Sequence, residues 1–171
     1  STFQIDPPTA PLGADPGGVW SSGSHVVFNA APTKHISVDD ISSSSVIVCF
    51  TDNWDEIGTC VIGTLGTSQT GDKSVSFPEA DGGHVMFNSN VVRNIKVQVI
   101  DANTAEVSYA VKSGFQETGY FTGLDLTGGT ITVRSSHFFS KGIPMNINWI
   151  QLNAANAWVV CFNEEVHEQR A

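Results

Sequence analysis

Five histidines are the first acid-base candidates in this chain, and three of them, His25, His84 and His137, stand shortly before a phenylalanine in a recurring phrase. A catalytic site is ordinarily unique, so a threefold recurrence points to packing at a strand edge or corner, or to a ligand pocket made three times. His35 opens a strand-like run and His167 lies in a charged tail; neither has a carboxylate and a nucleophile at a motif spacing. The densest acidic cluster is Asp52-Asn53-Trp54-Asp55-Glu56. Carboxylates beside a tryptophan could hold a calcium ion or stack on a sugar, so Asp52, Trp54, Asp55 and Glu56 are the candidate binding residues. The segment lacks the alternating Asp/Asn pattern and the glycine of calcium loops, and the matching stretch from Lys112 to Thr118 reads as not acidic, which favours a solvated turn.

Other routes to chemistry close in turn. Asp39 and Asp40 fall on opposite faces of a strand, against two-carboxylate catalysis. Gly17-Gly18, Gly82-Gly83 and Gly128-Gly129 are not followed by helical patterns and read as turns, not phosphate cradles. No Gly-x-Ser-x-Gly elbow occurs. The three cysteines, Cys49, Cys60 and Cys161, sit inside apolar runs. Odd in number, and with Cys49 and Cys161 at matching repeat positions, they read as small buried hydrophobes in a reducing compartment and not as a disulfide framework. No close Cys or His pairs have metal-ligand spacing, so neither a metal nor a cofactor is expected, and the chain reads as non-enzymatic.

The elements that would position these residues repeat. His25-Val26-Val27-Phe28-Asn29, His84-Val85-Met86-Phe87-Asn88 and His137-Phe138-Phe139-Ser140 each precede an isoleucine, at Ile36, Ile95 and Ile147, which are 59 and then 52 residues apart. Each phrase is strand d, and each isoleucine starts an alternating strand a, in the first of which Ile36, Val38 and Asp40 share a face with Ser37 and Asp39 opposite. Strand b follows at Val46–Phe50, Ala105–Tyr109 and Trp158–Phe162, after short polar links that suit hairpins. Strand c spans Gly58 to Leu65 and recurs as Gly119 to Leu126, which sets Gly63 against Gly123. Strand d spans Ser74 to Phe87, interrupted by Pro78 and Asp81-Gly82-Gly83, and recurs from Thr130 to Phe139. The order is d, a b c d, a b c d, a b. A short helix is expected only within Asn163–Ala171.

The domain reading is an extended Pro-rich arm at 1–18, a single all-β repeat domain at 19–163, and a charged tail at 164–171. The arm holds Pro7, Pro8, Pro11 and Pro16, and is a disordered tail or a strap whose Ile5, Pro7, Pro8, Pro11 and Leu12 contact a neighbouring subunit. A net charge of −9, with eight Lys and Arg scattered singly, argues against nucleic acid. No apolar run approaches the ~20 residues that span a bilayer, and no cationic segment with an apolar stretch opens the chain.

The run Ile36–Val38, Val46–Asp52, Gly58–Thr64, Phe77 and Val85–Asn88 resembles a degenerate blade repeat of bacterial and bacteriophage proteins. The resemblance covers about residues 19–163, implies a propeller-like body of about two and a half repeats, and carries over no functional residue. A propeller typically needs four to eight blades, so a homo-oligomer is expected, a dimer or a trimer sharing strands; a compact β-sandwich is the alternative. The expected function is a virion structural protein, of capsid decoration or cement type, assembled in the host cytoplasm and bound to a major capsid protein. The alternative is a lectin-like or receptor-binding module, secreted or at the cell surface, using Trp20, Trp54, Trp149 and Trp158, although Trp149 and Trp158 fall at positions expected to be buried.

Overall fold

In the computed structural model of the chain, which describes residues 2–3, 26–52, 55–67, 73–78, 83–114, 116–152 and 157–165, three non-glycine residues of strand a have left-handed backbone. His35, Asn94 and Asn146 have φ of 49, 53 and 51°, each directly before the isoleucine that marks its unit. His and Asn tolerate this region better than most side chains. At each of them the a–b ladder slips, from Lys34↔Thr51 to Ser37↔Cys49, from Arg93↔Ala110 to Lys96↔Ser108, and from Met145↔Asn163 to Asn148↔Cys161. A bulge at the same place in every unit makes the repetition structural as well as sequential.

The strands are β1 (Thr2–Phe3), β2 (Val26–Val27), β3 (Thr33–Ser42), β4 (Ser45–Asp52), β5 (Ile57–Thr67), β6 (Lys73–Ser76), β7 (Val85–Asp101), β8 (Thr104–Ser113), β9 (Gln116–Asp125), β10 (Thr132–Ser140), β11 (Ile143–Leu152) and β12 (Ala157–Glu165). One 3-10 turn, Thr127–Gly129, lies between β9 and β10. All pairings are antiparallel: one sheet runs β10-β9-β8-β7-β5-β4-β3 with β6 also on β5, while β1–β2 and β11–β12 form pairs. The all-β, antiparallel reading therefore holds.

Strand a is β3, the second half of β7, and β11; strand b is β4, β8 and β12; strand c is β5 and β9. The long β7 serves two units, its first half pairing with β5 as strand d and its second with β8 as strand a. Strand d of the first unit is divided between β6, paired with Leu65 and its neighbours, and β7, paired with Ile57–Cys60. The tail continues as strand to Glu165, and 166–171, where the rest of the expected helix falls, lie outside the described residues.

Strand b of the first unit is buried on both faces, which is why it reads as an unbroken apolar run. Val48 and Phe50 pack with Phe28, Val61 and Phe77 on one side. Ile47 and Cys49, on the other, belong to the larger core with Ile95, Val97, Val107 and Tyr109 of the second unit. Neighbouring a strands meet without a ladder: the Val97 amide donates to Ser37 Oγ (3.0 Å) and the Val99 amide to Asp39 Oδ2 (2.6 Å). Side chains of β3 thus satisfy the open edge of β7, which would otherwise hold unpaired backbone donors.

Two sequence expectations change here. Cys49 and Cys60 form a disulfide, with Cα atoms 4.1 Å apart. They are direct cross-strand partners on β4 and β5, at the close approach of a non-hydrogen-bonded pair, so the hairpin itself brings the thiols together. The reduced reading fails for this pair; Cys161 is free and exposed. Gly63 faces Val46, whereas Gly123 faces Glu106, one step out of the repeat register. The matching glycines are Gly58 and Gly119. A Cβ on Gly58 would run into the Phe87 ring, and one on Gly119 would come within 2.7 Å of Phe139 Cζ.

Candidate interaction surface

The acidic loop is tied down from both sides. Glu56, with φ 51°, donates its amide to the Asp52 carbonyl (2.9 Å), and its own carbonyl accepts from the Val92 amide (2.8 Å). Its carboxylate meets Lys34 Nζ at 3.3 Å and an Arg93 guanidinium nitrogen at 3.8 Å, and Arg93 also reaches Glu117 at 3.5 Å. Lys34 and Arg93 each precede the left-handed residue of their unit, and Glu56 and Glu117 each stand two places before the glycine beneath an aromatic ring. The same cation–anion pair therefore occurs in two successive units, and Arg93 links them. The stretch matching the acidic loop thus does hold one acid at the matching place.

Glu56 is accordingly committed to scaffolding, Asp55 is exposed, and Asp52 ends β4. Trp54, like the arm residues Ile5, Pro7, Pro8, Pro11 and Leu12, lies outside the described residues. Among the described residues no group of three or more His, Cys, Asp or Glu is arranged to hold a metal. Partial desolvation, and then the Arg93 charge, push His35 below its ordinary value.

The histidines are not one recurring position. His84 Nε2 donates to the Phe28 carbonyl at 2.8 Å, and its ring meets Phe50 edge-on at 5.6 Å. His137 pairs with Phe121 in the ladder as Val85 pairs with Cys60, one place later than His84, and its ring nitrogen lies 3.2 Å from Ser135 Oγ. His25 and His167 lie outside the described residues.

What does recur is aromatic. The d-strand phenylalanine of each unit packs on the b-strand aromatic of the next: Phe28 on Phe50 (5.2 Å), Phe87 on Tyr109 (5.0 Å) and Phe139 on Phe162 (5.2 Å). One place before each of these phenylalanines stands a large apolar side chain about half exposed, Val27 at 56%, Met86 at 52% and Phe138 at 50%. Periodicity alone marks them as strand residues; the pairing register reveals that they occupy one position.

The first a strand departs from its copies. Ile36 and Val38 are 44% and 43% exposed, whereas their counterparts Ile95, Val97 and Ile147 are at most 8% exposed. Val38 and Asp39 form one wall of a groove against Lys96, Val97, Gln98 and Val99 of β7. Trp20 lies outside the described residues, as do the side chains of Trp149 and Trp158. Comparisons with protein-family models, with curated proteins and with solved structures find no match.

Proposed function

We propose that this protein is a non-enzymatic virion structural protein, a decoration or cement protein of a bacteriophage capsid, that works through protein–protein contacts. The observation that carries this reading is the exposed apolar position repeated on successive d strands, at Val27, Met86 and Phe138. Isolated exposed apolar residues are ordinary, but a regularly spaced set on a repeat scaffold is what a repeating partner surface would engage. The major capsid protein is that partner, and the acidic, propeller-like body stands outward from the shell.

The buried Cys49–Cys60 disulfide suits a particle that is released from its host, since disulfides persist under oxidising conditions. The test is mass spectrometry of purified particles of the virus whose genome encodes this chain. Recovery in stoichiometric proportion to the major capsid protein is expected. Absence from the particle, or an encoding locus outside any viral genome, overturns the reading.

A further inference from the structure

We propose that the β1–β2 strand pair of one copy completes the open strand β12 of a second copy, so that copies join head to tail by sharing a repeat unit. This goes beyond the capsid reading and stands on the repeat register alone. Thr2 and Phe3 pair with Val27 and Val26. Thr59 and Cys60 pair with Met86 and Val85, and Val85 and Met86 hold the places in their phrase that Val26 and Val27 hold in theirs. The β1 strand is therefore a strand c, and β1–β2 is a c–d pair that precedes the first a strand.

Its place as strand d is independently marked by Phe28, which packs on Phe50 as Phe87 packs on Tyr109. At the other end, β11–β12 is an a–b pair. Among the described residues no strand pairs with the outer edge of β12. A c–d pair without its a–b, and an a–b pair without its c–d, are the two halves of one unit.

The faces agree with the edges. Within the chain, Ile95 and Val97 of the second unit share a buried core with Ile47 and Cys49 of the first. Ile36 and Val38 are the counterparts of Ile95 and Val97, and Cys161 is the counterpart of Cys49 in the ladder. Ile36, Val38 and Cys161 are all exposed, so this chain does not cover one surface with the other. A second copy does, by repeating the junction that already joins the first two units. Such an interface is heterologous, and it closes the outer edges of β12 and β1 against each other.

The register gives a direct test. Cys49 and Cys60 sit opposite each other and are bridged; Cys161 and Phe3 are their counterparts. In the full-length Phe3→Cys variant, treated with oxidised glutathione, the introduced thiol and that of Cys161 are oxidised to a disulfide while glutathione is reduced. Loss of the monomer band to covalent multimers on a non-reducing gel is expected. The digest should then hold peptides that join the substituted position to Cys161, and no multimers should form once Cys161→Ser is added. The same bond found within monomers overturns the second-copy assignment, and no such bond overturns the shared unit. Should the variant not fold, maleimide labelling of Cys161 in the unmodified protein decides: loss of labelling as concentration rises supports sharing, and unchanged labelling refutes it. Neither readout uses a capsid, so the proposal and the capsid reading fail separately.

Discussion

The ring of Phe28 meets the ring of Phe50 edge-on, with centroids 5.2 Å apart. Phe139 meets Phe162 edge-on at the same 5.2 Å, and Phe87 packs on Tyr109 at 5.0 Å with the rings tilted. Every unit therefore begins with an aromatic side chain delivered from the strand before it, and the chain behaves as a row of interlocking units, each incomplete without its neighbour.

Gly58 and Gly119 keep those aromatics in place, because only a missing Cβ lets Phe87 and Phe139 lie on strand c. Gly58→Ala is expected to destabilise the protein by about 1–3 kcal/mol through overpacking. Adding Phe87→Leu to Gly58→Ala should cost less than the two single changes summed, because the clash has been removed. Urea denaturation of the four proteins measures this coupling.

The Cys49–Cys60 bridge closes a short loop across one hairpin, with a sequence separation of 11. Chain-entropy reasoning gives about 3 kcal/mol for a loop of that size. Reductant should lower the melting temperature of the unmodified protein and leave that of the Cys49→Ala/Cys60→Ala variant unchanged. Equal sensitivity of both would mean that the bridge does not form.

Tyr109 is fully buried, and its hydroxyl lies 2.7 Å from Thr122 Oγ1 and accepts from Asn88 Nδ2 at 3.1 Å. Thr122 keeps Ser136 Oγ at 2.7 Å when the tyrosine hydroxyl is removed. Asn88 Nδ2, which is part-buried, loses its acceptor, so Tyr109→Phe should cost about 1–2 kcal/mol, more than a hydrogen bond whose partners all stay satisfied. Tyr109→Ala, which also empties the contact with Phe87, should cost several times more.

His35 favours its neutral form in the fold, through desolvation first and the Arg93 charge second. A depressed folded value means that the fold binds fewer protons than the unfolded chain. Its contribution is complete above the ordinary value of 6.5 and is lost as pH falls through the folded value. Stability measured by urea midpoint should decline on acidification through this window, and the decline should be smaller in His35→Gly, which also suits the φ of 49°.

The repeat, the a–b hairpins and the antiparallel class were legible in the sequence because Ile36, Ile95 and Ile147 carry a period-two pattern that survives in each copy. The disulfide was not, because cysteine number and spacing carry no hairpin register, and only the pairing of β4 with β5 sets Cys49 opposite Cys60. Gly63 and Gly123 correspond in residue type alone, and the true counterparts Gly58 and Gly119 are marked by the rings above them. His137 likewise matches His84 in residue type but stands one place later in the ladder. Lys34, Arg93, Glu56 and Glu117 carry no sequence signal, because charges scattered singly look like solvated surface until the bulges align them.

Native mass spectrometry of the purified protein tests most directly whether copies complete one another. The expected result is a closed assembly at an integer multiple of 18.2 kDa that dissociates when Ile36→Asp and Val38→Asp are introduced. A particle that stays at 18.2 kDa across the micromolar range would contradict it.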